Sequence, residues 1–216
     1  SLLSYYVTSR LKANNKLPAH PFMVKTIVTT PLVNEIADQM GIMCYETLTG
    51  FKHIGALITG LEGKENFIVG GEESYGYLIG DLVRDKDAVV SCAFIAEMAA
   101  FYKSEGKSLF DALLEMYQQF GFYKEKLVSV TRKGKKGAEE ISAMMDRLRN
   151  NSPNQLGGSK VIKISDYLSG KNKDLETNTT SPIDLPKSNV LQFVTASGNI
   201  ISARPSGTEP KIKFYC

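Results

Sequence analysis

Residues 70–76 read Gly-Gly-Glu-Glu-Ser-Tyr-Gly and put two carboxylates and a hydroxyl side by side behind a pair of glycines. Carboxylates and Ser are good partners for the hydroxyl groups of a polyol. The apolar run before them, Asn-Phe-Ile-Val at 66–69, reads as a buried strand. The glycines then predict a sharp turn straight after that strand, with Glu72, Glu73 and Ser74 at its tip. Alone, such a stretch is as well read as a solvated turn. Two further stretches give it company. Thr49-Gly50-Phe51-Lys52-His53 lies between a predicted strand and a helix. A Thr-Gly turn opening a helix presents backbone N–H groups to an anion. Lys52 adds charge and His53 a hydrogen-bond donor. The plainer alternative is that Thr49 only caps the helix. Lys86, in Arg84-Asp85-Lys86-Asp87, stands at another helix entrance, as an anion contact or as part of a solvated salt-bridge cluster.

The third stretch is the most specific. Arg204-Pro205-Ser206-Gly207-Thr208-Glu209-Pro210 joins two predicted strands. Arg204 offers a bidentate fork for phosphate, and Ser206 and Thr208 offer hydroxyls. Gly207 allows a positive φ, which would let successive backbone N–H groups line an anion nest. Lys211 and Lys213 follow on one face of the next strand, with Ile212 and Phe214 on the other. A polar hairpin loop is the competing reading, and the convergence of donor types within about ten residues favours phosphate.

The elements that must position these stretches follow from periodicity. Residues 1–11 carry helix spacing and residues 22–28 read as a β-branched strand. Thr30-Pro31 starts a helix that Gly41 ends. A strand over 42–46 and a helix over 52–61 flank the Thr-Gly turn. A long apolar helix over 88–102 is predicted to turn Val89, Ala93, Ala96 and Ala100 inward, with Asp87 as its cap. Ser108 and Asp111 open a further helix to about residue 120. This alternation predicts an α/β layer with a largely parallel sheet over residues 1–121. Residues 122–216 change character. A strand at 127–132, a helix at 136–149 with Ile141, Met144, Met145 and Leu148 inward, and strands at 160–164, 190–195, 198–203 and 211–215 predict an α+β, mainly antiparallel unit. Residues 169–181 are polar with no core pattern and read as mobile.

The chain has 216 residues, 43% hydrophobic and 23% charged, and a net charge of +3. That is room for one large or two modest domains with a real core. The charge is too small to argue for a nucleic-acid partner. No apolar run approaches a membrane span. Cys44, Cys92 and Cys216 have no metal-like spacing and are odd in number, which points to buried thiols in a reducing, cytoplasmic compartment. Both ends are abrupt, so a fragment is expected.

Together the three stretches resemble the α-D-phosphohexomutase superfamily of phosphoglucomutases and phosphomannomutases. There a Thr-Gly-Phe/Trp-Lys turn, a Gly-Glu-Glu-Ser loop and an Arg-x-Ser-Gly-Thr loop occur in this order. Here they are Thr49-Gly50-Phe51-Lys52, Gly71-Glu72-Glu73-Ser74 and Arg204-Pro205-Ser206-Gly207-Thr208. Glu-Glu-Ser-Tyr-Gly-Tyr followed by Arg84-Asp85-Lys86-Asp87 looks most like the bacterial phosphoglucomutase branch. The resemblance covers essentially the whole chain. It implies the third and fourth of four domains round a cleft: a Rossmann-like three-layer α/β domain, then an α+β domain related to the TATA-binding protein and incomplete at its C-terminus. It assigns Glu72 and Ser74 to sugar hydroxyls, with Glu73 beside them. Thr49, Gly50, Lys52 and His53 would lie on the sugar or its ester, and Lys86 near the reacting phosphate. Arg204, Ser206, Gly207, Thr208 and Lys213 would hold the phosphate that does not react. Lys213 stands where some relatives have Arg, which exchanges a fork for a point charge.

The implied reaction interconverts hexose 1-phosphate and hexose 6-phosphate, glucose favoured, through an enzyme phosphoserine and a bisphosphate. The implied cofactors are Mg²⁺ and glucose 1,6-bisphosphate. Yet the family's phosphoserine loop and its Asp-x-Asp-x-Asp-Arg metal loop are absent from this sequence, and Thr195-Ala196-Ser197-Gly198 only echoes the former. No metal ligand is therefore expected here, and no catalytic group beyond Lys86. The chain alone is expected to be inactive, its partners being a sugar phosphate and two missing N-terminal domains. A phosphomannomutase or phosphopentomutase specificity, or a non-catalytic sugar-phosphate binding module, are the alternatives.

Overall fold

The chain divides into two units, Ser1–Lys124 and Glu125–Cys216, and the computed structural model describes residues 1–207 and 209–216. Thr208 lies outside the described residues. The first unit is built on a four-stranded sheet in the order β2-β1-β3-β4. Its strands are β1 (Pro21–Thr26), β2 (Met43–Thr47), β3 (Asn66–Glu72) and β4 (Gly76–Ile79). β1 pairs in parallel with both β2 and β3, and β4 runs antiparallel at the edge. The sheet is thus largely parallel, as the sequence predicts, with one antiparallel edge strand. Helices cover both faces. On one side α1 (Leu2–Ala13), α2 (Leu32–Met40), α4 (Ala88–Ser104) and α5 (Leu109–Phe120) close a core of Leu3, Tyr6, Met23, Ile36, Met98 and Met116. On the other, α3 (Phe51–Leu61) packs Phe51, Ile54 and Ile58 on Phe22, Val24, Phe67 and Leu78.

Several boundaries carry their local cause. Gly41 closes α2 at φ 71° and ψ 37°, the left-handed geometry that favours glycine. Asp87 accepts from the Val90 N–H and caps α4. Ser108 and Asp111 form a reciprocal capping box on α5.

One expectation about α4 is overturned. Val89, Ala93, Ala96 and Ala100 face outward, Val89 being 81% exposed. The buried face is Ser91, Met98 and Tyr102, with Phe94 and Phe101 packed beside it. The helix is apolar nearly all round, so periodicity cannot choose a face. The face that carries Phe94, Met98, Phe101 and Tyr102 buries the most area and takes the core, with Ser91 in line with it.

A second correction concerns Gly70 and Gly71. They do not turn the chain. Both lie inside β3, which runs on to Glu72. A Cβ on Gly70 would stand 2.8 Å from the Val24 carbonyl oxygen, and one on Gly71 would stand 2.6 Å from the Tyr77 ring. These glycines allow close packing in a strand, and the reversal comes three residues later. The β1–β3 register also slips, from Phe22↔Phe67 to Met23↔Val69, so Ile68 is an extra residue. A bulge inverts the side-chain parity beyond it. It places Ile68 and Val69 on the same face and returns Glu72 to the face of Phe67 and α3.

The second unit is an eight-stranded antiparallel sheet, with β5 (Leu127–Thr131), β12 (Lys211–Tyr215), β11 (Ile200–Pro205), β10 (Leu191–Thr195), β7 (Ser159–Asp166), β8 (Lys171–Asp174) and β9 (Thr180–Pro182) in that order. The short β6 (Gln155–Leu156) pairs with β7. Helix α6 (Gly134–Asn150) lays Ile141 and Met145 on Val161, Leu191, Phe193 and Ile212. Residues 169–181, read from the sequence as mobile, contain β8 and most of β9 at the sheet edge. Edge strands need backbone pairing rather than buried apolar side chains, and lysines there discourage further pairing. Asp174 adds a turn by accepting from the Glu176 and Thr177 N–H groups.

Candidate functional site

β1, β2 and β3 point their carboxyl ends the same way, and each is followed by a stretch that sequence reading singled out or a neighbour of one. In open α/β sheets this is the end where ligands bind. Here the Thr49–Lys52 turn and the Glu-Glu-Ser stretch are brought together. The Gly50 N–H donates to Glu72 Oε1 at 2.6 Å. Glu72 is buried to 9% exposure, and the bulge at Ile68 has put it on the α3 face where Gly50 waits. Gly50 opens α3 at φ 115°, and Thr49 makes no side-chain cap. The backbone N–H that was to face an anion is therefore taken by a carboxylate.

His53, one turn into α3, has its N–H on the Gly50 carbonyl at 2.9 Å. Burial first, and then the Lys52 charge, hold its imidazole below the ordinary value of 6.5, against the pull of Glu72. At neutral pH it is an uncharged ring with one donor and one acceptor, suited to hydroxyls.

Lys86 returns to this end because the Asp87 N–H bonds the Tyr77 carbonyl at 2.9 Å. Its stem lies against Gly76, where a Cβ would run into Lys86 Cδ and stand 3.5 Å from Glu72 Oε2. Its ammonium sits 5.2 Å from the Phe51 ring centroid and 3.1 Å from Asp85. Lys86 and Asp85 form the ion pair that was the alternative reading, and Lys86 also stands over the mouth of α3.

Glu73 turns toward β1. Its Oε2 accepts from Thr26 Oγ1 at 3.1 Å and Thr29 Oγ1 at 3.3 Å. Below it Lys25, 3% exposed, pairs with Glu46 at 2.8 Å and donates to the Thr29 carbonyl at 3.1 Å. Thr26, Thr29 and Lys25 were not singled out from the sequence. Their position at the carboxyl end of a predicted parallel strand was the available signal. Ser74 is exposed at the hairpin tip. Tyr75 follows at φ 65°, a left-handed conformation that costs a non-glycine residue about 1–3 kcal/mol.

In the second unit, Arg204 and Lys213 stand directly opposite each other on β11 and β12. Like charges in that register repel, and an anion between them would reverse the sign. The loop between the strands is closed by the Ser206 N–H on the Lys211 carbonyl at 2.7 Å, with the Glu209 N–H on Ser206 Oγ at 3.3 Å. Glu209, the loop's carboxylate, pairs with Lys211 at 2.8 Å, and the Lys213 charge also acts on it. Gly207 does not take the positive φ that the sequence reading allowed it. The expectation for Thr208 falls outside the described residues.

Among the described residues no group of three or more His, Cys, Asp or Glu side chains is placed to hold a metal ion. The Mg²⁺ implied by the resemblance finds no ligand set among them. Among them, too, no helix is long and apolar enough to cross a membrane.

Comparison with known proteins shows what the chain is similar to. Residues 2–120 match the family model described as phosphoglucomutase/phosphomannomutase, alpha/beta/alpha domain III. The chain is 42% identical over 199 residues to a phosphoglucomutase of Staphylococcus haemolyticus, covering 92% of this chain and 36% of that protein. It is 41% identical over 216 residues to a phosphoglucomutase of Staphylococcus aureus, covering 99% of this chain and 38% of that one. It thus spans little more than a third of the length of these curated relatives. Among solved structures, the open form of the Paramecium exocytosis-sensitive phosphoprotein pp63/parafusin, a phosphoglucomutase, shares the fold. Its TM-score is 0.64 at 22% identity, covering 100% of this chain and 36% of that one.

Proposed function

Because this chain belongs to the phosphoglucomutase/phosphomannomutase family, we propose that it supplies the sugar-recognising and phosphate-holding residues of a hexose phosphate mutase. Its two units are then the family's third and fourth domains, parting between residues 121 and 125. The observation that carries the reading is the Gly50–Glu72 bond. It fastens the Thr-Gly-Phe-Lys turn to the Glu-Glu-Ser stretch, so that Lys52, His53, Glu72, Ser74 and Lys86 belong to one end of one sheet.

In this reading Glu72, through its remaining acceptor capacity, and Ser74 bind sugar hydroxyls, and neutral His53 adds a donor. Glu73 acts through the tip it anchors. Lys52 and Lys86 neutralise an ester phosphate. Arg204, Ser206, Gly207 and Lys213, with Thr208, hold the phosphate that does not react. A mutase working through a phosphoserine passes a phosphoryl group from that serine to the sugar phosphate, and the bisphosphate so formed, glucose 1,6-bisphosphate, returns its other phosphate to the serine. The P–O bond broken on one oxygen is remade on another, and the charge on the moving group calls for cations near it. The serine lies outside this chain, so the 216 residues by themselves bind but do not turn over. Glucose is the favoured sugar, in keeping with the names of the Staphylococcus relatives. Mg²⁺, when bound by the whole protein, supplies further charge neutralisation from outside this chain. The free thiols Cys44, Cys92 and Cys216 suit the reducing cytoplasm.

The test is interconversion of glucose 1-phosphate and glucose 6-phosphate by the full natural chain. Glu72→Ala should lower kcat/KM at least about tenfold, as loss of a charged hydrogen bond does. Glucose 1-phosphate should be preferred to mannose 1-phosphate. A full chain that interconverts neither sugar phosphate contradicts the reading.

A further inference from the structure

The β3–β4 hairpin pairs Glu72 with Gly76 and turns over Glu73, Ser74 and Tyr75. In three-residue hairpin loops the last position commonly takes a left-handed conformation, which glycine adopts without steric cost. This chain puts Tyr75 there, at φ 65°, and its side chain is 91% exposed. A bulky residue with positive φ is a genuine outlier. Such outliers persist where the surroundings enforce them and gather at ligand sites. The surroundings are visible here. Two hydroxyls, on Thr26 and Thr29, grip Glu73 on one side of the tip. On the other side the Lys86 stem fills the space over Gly76.

The ring is therefore displayed by a backbone held in an uncommon conformation, after Ser74 on the hairpin that carries Glu72 and packs Gly76 on the Lys86 stem. A single aromatic face amid hydroxyl, carboxylate and ammonium groups is the composition of a small polar-ligand site. A protein-docking anchor is ringed by other apolar side chains, and the residues flanking Tyr75 at the tip are Glu73, Ser74 and Gly76. A pyranose ring has matching chemistry, with apolar C–H faces for the aromatic ring and an equator of hydroxyls for Glu72 and Ser74. We propose that Tyr75 is the stacking platform for the pyranose ring of the sugar phosphate, and so a specificity-determining residue of this site. The proposal rests on the mutase reading above.

The test is steady-state kinetics with glucose 1-phosphate in the full natural chain, with thermal unfolding of each variant. Tyr75→Asn removes the ring but keeps a residue at ease in the left-handed region. It should lose about threefold to tenfold in kcat/KM, the size of one aromatic contact, and melt no lower than the parent. Tyr75→Phe should stay within about twofold of the parent. Unchanged kcat/KM in Tyr75→Asn, alongside a loss in Glu72→Ala, would overturn the proposal and leave the mutase reading standing. A lower melting temperature in Tyr75→Asn would assign the ring to protein packing and overturn it as well. Absence of hexose-phosphate activity in the parent would bring down the mutase reading, and the proposal with it.

Discussion

Glu72 has two demands on one carboxylate. Oε1 takes the Gly50 N–H at 2.6 Å, which leaves Oε2 and the spare lone pairs for a ligand. Glu72→Gln keeps the shape and removes the charge. It should leave the fold intact and still weaken sugar-phosphate binding, measured by KM in the full natural chain. His53 carries a pH signature. Its folded value lies below the ordinary 6.5, so between those two values the unfolded chain binds more protons than the folded one. Stability should then fall as the pH drops below about 6.5. In a His53→Gln variant this acid sensitivity should shrink, as read from urea midpoints across that window. Cys44 is a contrast in reactivity. Burial pushes its thiol up to about 11, while Cys92 and Cys216 are exposed. Thiolate, not thiol, is the nucleophile. Peptide mapping after brief maleimide treatment should find Cys92 and Cys216 labelled and Cys44 intact.

At the scale of elements, the site depends on a strand that carries glycines inside it. Gly70→Ala would drive a Cβ to 2.8 Å from the Val24 carbonyl oxygen. Backbone cannot yield there as a side-chain tip could, so the substitution should cost about 1–3 kcal/mol, seen as a lower urea midpoint. Asp87→Ala removes the α4 cap and should cost about 1 kcal/mol, and it loosens the segment that brings Lys86 back. These elements also show what the sequence can and cannot tell. The Thr-Gly turn, the Ser108–Asp111 box and the Gly41 stop are local, and each was legible because its cause lies within a few residues. The Gly70-Gly71 pair was misread because a turn glycine and a close-packing glycine look alike until the neighbour across the sheet is known. The outward face of α4 was misread because an all-apolar helix has no periodicity to follow. The Ile68 bulge that returns Glu72 to the α3 side has no sequence signature, although site geometry depends on it. Thr26 and Thr29 touch Glu73 from 47 and 44 positions away, beyond any local pattern.

At the scale of the molecule, each unit brings one set of ligand groups. The first has the carboxyl end of a mixed sheet, with Glu72, Ser74, His53 and Lys86 as its polar equipment. The second has two cations in cross-strand register, Arg204 and Lys213. In the proposed function the first recognises a sugar and the second a phosphate. Calorimetric titration of the 216-residue chain with glucose 1-phosphate and with inorganic phosphate puts this to the test. Arg204→Ala should weaken both ligands, and Glu72→Ala should weaken glucose 1-phosphate while leaving inorganic phosphate unchanged. Phosphate binding untouched by Arg204→Ala, or equal loss of both ligands in Glu72→Ala, would contradict this division of labour.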